Sequence, residues 1–155
     1  MDIKELRKSY ETLAKKHKLP NFEYLNENFE IDKIEKDTEC ILRIIRKVMM
    51  EKVVNSLSFL ELLVNPSNTP RIYLAYAHSI SAEDRKIIEE IYTALGNISL
   101  ISLDLEIDYS EKSEAEMIKQ ITDAWNEQKP KFKKILANMK KPNNIAAKKE
   151  KTYFG

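Results

Sequence analysis

The chain has 155 residues, 43% hydrophobic and 33% charged, enough for one domain that buries roughly two-thirds of its unfolded surface. Its two glycines, Gly96 and Gly155, cannot write a phosphate-cradling G-x-G-x-x-G or G-x-x-x-x-G-K-S/T loop, and its single cysteine, Cys40, excludes an intrachain disulfide and a multi-cysteine zinc site. The net charge of +1 hides a division: residues 1–128 hold 17 Lys+Arg against 24 Asp+Glu, a net of −7, whereas residues 129–155 hold nine Lys and one Glu, a net of +8.

Ile3, Leu6, Tyr10, Leu13 and His17 recur at helical spacing, and Leu19-Pro20 ends that helix because the residue before proline avoids the α region. Asn21 is placed to cap a short helix carrying Phe22, Leu25 and Phe29. From about Asp32 to Val64 the stripe Leu42, Ile45, Met49, Val53, Leu60 and Leu63 predicts one long helix, with Ser56 as its polar interruption. On another face Glu39, Arg43, Lys47 and Glu51 stand four apart, which sets Glu39 beside Arg43 and Lys47 beside Glu51 as opposite charges. Thr69-Pro70 reads as an N-cap with proline at the first helical position, opening a helix to about His78.

Ser81-Ala82-Glu83-Asp84 resembles a capping box for a further helix on the stripe Ile87, Ile91, Ala94, Ile98, Ile101 and Leu105, which passes through Gly96. Leu103 to Tyr109 also alternates apolar and acidic residues as a strand does, with Ile72 to Ala77 as a β-rich partner. Two strands alone are marginal, so helix is the preferred reading. Ser113-Glu114-Ala115-Glu116 is the clearest capping box and opens a helix whose seam is Ile118, Ile121, Trp125, Phe132, Ile135 and Met139. Gln128 is the polar position on that seam, and Pro130 predicts a kink or restart.

The expectation is an all-α fold: a helical bundle of about six or seven helices over residues 1–139, followed by a disordered or extended basic tail, 140–155. Its core should gather Ile45, Val53, Leu60, Ile91, Ile98, Ile121 and Trp125. The opening Met1-Asp2-Ile3-Lys4-Glu5 lacks the apolar core of a signal peptide, and no apolar run approaches a membrane span. A cytoplasmic protein without membrane contact is expected.

Neither His17 nor His78 belongs to an H-E-x-x-H or E-x-x-H pattern, and no Gly-x-Ser-x-Gly elbow exists, so no catalytic residue and no cofactor is assigned. Asp104, Glu106 and Asp108 alternate like the start of a calcium loop, but Tyr109 stands where its turn glycine is required. On a helix Asp104 and Asp108 would share a face with Glu111 a turn beyond; a solvated acidic face is preferred over a metal site. Cys40, Met49, Met50 and Trp125 read as packing residues, and His17 as a core-edge histidine.

The tail carries the candidate partner-binding residues Lys140, Lys141, Lys148, Lys149, Lys151, Tyr153 and Phe154. Lysines steer an encounter while an aromatic pair fills a pocket, which suits a non-enzymatic interaction or adaptor module docking on a protein. The alternatives are a merely solvated tail that keeps the protein soluble, and an accessory factor of a nucleic-acid-processing complex that contacts phosphate through the same lysines. The basic charge here is wholly Lys, which favours diffuse attraction over bidentate reading of bases. Oligomeric state is left open.

The stretch Leu19-Pro20-Asn21-Phe22 through Phe29-Glu30-Ile31, then Ile41-Leu42-Arg43-Ile44-Ile45-Arg46 and the Ser113 to Trp125 helix, resembles small helical archaeal proteins of unassigned function. That resemblance covers most of residues 1–139 and implies an all-helical fold and a cytoplasmic location, without an activity. The order of the early helices also resembles the helical domain of archaeal replication-complex (GINS) subunits, although their glycine-bearing β domain is not evident here.

Overall fold

Apolar residues at helical spacing dictate the architecture. The computed structural model describes residues 3–34, 40–65, 67 and 69–141. Among these residues the chain forms α1 (Ile3–His17), α2 (Phe22–Phe29), a 3-10 turn (Ile31–Lys33), α3 (Ile41–Val64), α4 (Arg71–Ser79), α5 (Ala82–Ile107) and α6 (Glu111–Met139), and no strand. The fold is all-α, and the segment with alternating character is helical through Ile107.

Helix ends follow local chemistry. Lys18 adopts a left-handed φ of 55°, and the Leu19 N–H donates to Ala14 O at 3.0 Å, the six-to-one bond that closes a Schellman turn. Tyr10 is buried in this corner and donates its hydroxyl to Pro20 O at 2.6 Å; burial pushes that phenol well above its ordinary value. Asn21 caps α2 as expected, its Oδ1 accepting the Tyr24 N–H at 2.7 Å.

Three helix starts differ from expectation. The long helix begins at Ile41 rather than near Asp32, because Ile31–Lys33 forms a 3-10 turn that ends in extended backbone at Ile34, burying Ile31 and Ile34 instead. Thr69 does not cap α4, whose cap position is Pro70. Its hydroxyl lies 2.5 Å from Leu62 O and 3.0 Å from Asn65 O, so it satisfies carbonyls at the C-terminal end of α3. Helix α6 starts at Glu111, capped by Ser110, whose Oγ accepts the Ser113 N–H at 3.4 Å; Ser113 lies within the first turn. Ser81 does act as expected, accepting the Asp84 N–H at 3.0 Å. Helix α6 runs unbroken past Pro130.

The inward face of α5 is also turned by about one residue. The buried positions are Ile88, Ile91, Leu95, Ile98 and Ser102, whereas Ile101 is exposed and Leu105 half-buried. A polar partner that engages Ser102, described below, selects this face over the equally apolar neighbouring row.

The chain divides into two compact units. The first comprises the described residues up to Val54 with Asn97–Trp125. Its core holds Leu6, Tyr10, Leu25, Phe29, Ile31, Leu42, Ile45, Met49, Val53, Ile98, Ile118, Ile121 and Trp125. The Phe29 and Trp125 rings pack 5.8 Å apart within it. The second comprises Asn55–Gly96 with the described residues from Asn126 on, and buries Leu60, Leu63, Ala77, Ile88, Ile91, Leu95 and Ile135. There Phe59 meets Tyr73 and Phe132 edge-on, each at 6.1 Å. All seven residues expected in the core are buried, distributed over both units.

Two backbone positions yield predictions. A Cβ added at Gly96, inside α5, meets nothing within 4 Å. Gly96→Ala should therefore stabilise the protein by about 0.5–1 kcal/mol and raise Tm by roughly 2–4 °C. Lys18→Gly should stabilise by a similar amount, about 0.5–1 kcal/mol, by relieving the left-handed backbone. Thermal melts followed by circular dichroism check both, and unchanged or lowered melting points would contradict these local readings.

Candidate functional site

The most concentrated polar chemistry of the first unit sits where sequence periodicity asks for apolar residues. Arg46, on the core stripe of α3, is only 1% exposed. Its Nε donates to Glu114 Oε2 at 2.5 Å, its Nη1 to Ser102 Oγ at 2.7 Å and its Nη2 to Glu106 Oε1 at 2.6 Å. Glu114 is 0% exposed, whereas the Glu106 side chain is 39% exposed and is the member that reaches water. Lys47 approaches Glu106 at 3.1 Å from the solvent side. Arg43 Nη2 donates to the carbonyls of Leu105 and Glu106 at 3.4 and 3.3 Å, satisfying the end of α5. Thus Arg43 and Lys47 both reach across to α5.

These groups tune one another. Burial is the strongest single influence on Arg46 and opposes its charge, but the hydrogen bonds to Glu114 and Glu106 prevail and hold the guanidinium above its ordinary value. The Arg46 hydrogen bond in turn holds the Glu106 carboxyl below the usual range, against burial and with help from Lys47. The guanidinium, both carboxylates and the Ser102 hydroxyl are all engaged within the cluster, which is the arrangement of a structural clamp joining α3, α5 and α6. A second tie holds α1: Glu111 Oε1 lies 2.8 Å from Lys16 Nζ and 2.6 Å from His17 Nε2. The Lys16 hydrogen bond, followed by that of His17, keeps the Glu111 carboxyl below its ordinary value.

The sequence-derived sites fall as follows. Asp104 and Asp108 are exposed at the end of α5, while Glu111 turns to α1, so the three carboxylates do not converge; among the described residues no group of three such ligands could hold a metal ion. His17 is a helix-edge residue serving Glu111, and His78 is exposed in the last turn of α4. Lys140 and Lys141 are exposed just past α6. Lys148, Lys149, Lys151, Tyr153 and Phe154 lie outside the described residues.

Part of the basic segment is used internally. Within the second unit Lys131 approaches Glu90 at 3.4 Å and Lys134 approaches Glu83 at 3.3 Å, while Asn138 Nδ2 donates to Asp84 Oδ1 at 3.0 Å. These surface contacts align the end of α6 with the start of α5, each ion pair contributing about 0–1 kcal/mol. No helix among the described residues is long and apolar enough to cross a membrane.

Sequence reading missed the Arg46 clamp, although a signal existed. Arg46 is four residues after Leu42 and three before Met49; Ser102 is four after Ile98; Glu114 is four before Ile118. Three helices of the first unit each carry a polar residue on the core face, and there the Arg46 guanidinium meets Ser102 and Glu114.

Removing one partner of a buried pair strands the other. Arg46→Met or Glu114→Leu should each cost about 3–5 kcal/mol, and the double variant should recover at least half of the summed loss. Urea unfolding of the full cycle checks this; strict additivity would contradict the pairing. Because Glu106 and Glu111 titrate below their ordinary value of 4.5 in the folded state, their stabilisation is present above about pH 4.5 and lost as pH falls through the lowered values. Glu111→Gln should flatten the acid limb of a urea-midpoint profile, and an unchanged limb would contradict the α1 tie.

Comparison of the chain with protein-family models, with curated proteins and with solved structures finds no match in any of the three.

Proposed function

We propose that the chain is a non-enzymatic, cytoplasmic protein-interaction module of the adaptor kind, docking on a protein partner through its basic, aromatic-ended C-terminal segment. The observation that carries this reading is the charge division, −7 over residues 1–128 against +8 over residues 129–155. The described part sharpens it. Lys131 and Lys134 are engaged with α5 carboxylates, while Lys140 and Lys141 are exposed beyond the last helical turn. From Lys140 onward the segment holds five lysines and one glutamate and ends in Tyr153-Phe154-Gly155.

Lysines at such a position raise the encounter rate with an acidic surface, and an aromatic pair supplies a compact apolar anchor. An acidic body behind a basic segment also orients the encounter, because it repels the same surface that the lysines attract. Broad duplex binding is disfavoured for the same reason, since the acidic face would meet phosphate.

The test is affinity capture with the full chain and with a truncation after residue 139, each with and without nuclease. The reading predicts a nuclease-resistant protein partner that is lost on truncation. A partner lost on nuclease treatment would replace it with an accessory role on nucleic acid, expected to weaken steeply with salt. Associations unaffected by truncation would end the tail-docking reading.

A further inference from the structure

The C-terminal half of α5 breaks two local rules at one place. Leu100, Leu103 and Ile107 are 65%, 59% and 81% exposed. Their spacing of three and four residues makes them adjacent on a single helix face. One exposed leucine is ordinary, but a contiguous apolar row on a charged protein marks a contact surface. Beside this row stand Asp104 and Asp108, both exposed, one helical turn apart.

Their position is electrostatically costly. The last turn of α5 contains no basic residue, so these carboxylates sit at the negative end of the helix dipole. Glu106, on the opposite flank of the row, is neutralised by Arg46 and Lys47. For Asp104 and Asp108 no cation lies within ion-pairing distance among the described residues. Sequences depart from local preference where another demand prevails. An apolar row with an acidic flank at a helix C-terminus lacks two things together, an apolar cover and positive charge.

We propose that this face of α5 docks a basic amphipathic helix of a partner protein, with apolar anchors seated on Leu100, Leu103 and Ile107 and Lys or Arg side chains paired with Asp104 and Asp108. A partner helix seats apolar anchors three and four residues apart, and the row on α5 offers matching apolar positions at that spacing. A second copy packed face to face would bring the acidic flanks together, and anionic lipid or nucleic acid would be repelled by them. The inference is independent of the tail reading: the site lies in the first unit and uses none of residues 140–155. If both hold, the protein joins two partners of opposite charge.

The probe is a labelled Lys/Leu amphipathic peptide of about five helical turns, titrated into the full-length protein and followed by fluorescence anisotropy. Its Glu/Leu counterpart is the control. Binding is expected in the micromolar range, weakened by salt, and absent for the Glu/Leu peptide. Two variants, Leu100→Ser/Leu103→Ser/Ile107→Ser and Asp104→Lys/Asp108→Lys, should each weaken it at least tenfold while keeping the parent circular dichroism spectrum, the lysine variant melting no lower than the parent. Parent-like affinity in either variant, or equal binding of the Glu/Leu peptide, would overturn the proposal. Binding that appears only after Lys148→Glu/Lys149→Glu/Lys151→Glu would overturn it in favour of the chain's own C-terminal segment as occupant. Self-association lost in the triple serine variant would overturn it in favour of a second copy.

Discussion

A single guanidinium buried among three helices is the constraint on which the first unit depends. Once Arg46 leaves water, its charge must be met by geometry. Glu114, Glu106 and Ser102 supply three charge-assisted or hydroxyl acceptors within 2.7 Å. The consequence is positional: α5 is rotated to present Ser102, α6 begins early enough to bury Glu114, and Arg43 and Lys47 follow Arg46 to the end of α5. Hydrophobic burial supplies most of the stability of this unit, but it is indifferent between neighbouring apolar rows. The clamp is what distinguishes them.

That indifference explains which parts of the fold were legible. The α3 stripe from Leu42 to Leu63, the Asn21 and Ser81 caps and the all-α class follow from periodicity and capping chemistry, and each stands in the structure. The α5 face was misread because α5 is apolar over much of its circumference, so sequence spacing alone fits Ile87, Ile101 and Leu105 as well as Ile88, Leu95 and Ser102. The α6 start was misread because Ser113-Glu114-Ala115-Glu116 is a sound local capping motif, overridden by the demand for Glu114 inside. Thr69 was misassigned for a similar reason: its hydroxyl satisfies the preceding helix, not the following one. Local motifs report what a segment prefers, whereas a buried ion pair is decided by residues 56 and 68 positions apart.

Charge on this molecule is segregated at two scales. Along the chain an acidic majority precedes a lysine-rich segment, of which Lys131 and Lys134 settle on Glu90 and Glu83 of α5. Within α5 the C-terminal carboxylates divide again: Glu106 belongs to the clamp, while Asp104 and Asp108 face solvent beside exposed leucines. The clamp ties the end of α5 to α3 and α6, and the exposed row of Leu100, Leu103 and Ile107 lies on that same stretch of helix. Preorganisation of this kind lowers the ordering cost of binding.

The most direct test is native-state hydrogen exchange of the parent protein and of Arg46→Lys, which keeps the charge but loses the planar fork. If the clamp positions α5, amides of 98–107 and of the first turns of α6 should exchange roughly ten- to a hundredfold faster in the variant, with α1, α2 and α4 little changed. Unaltered protection across 98–107, or a uniform loss over the whole chain, would contradict the claim that Arg46 sets the arrangement of this unit.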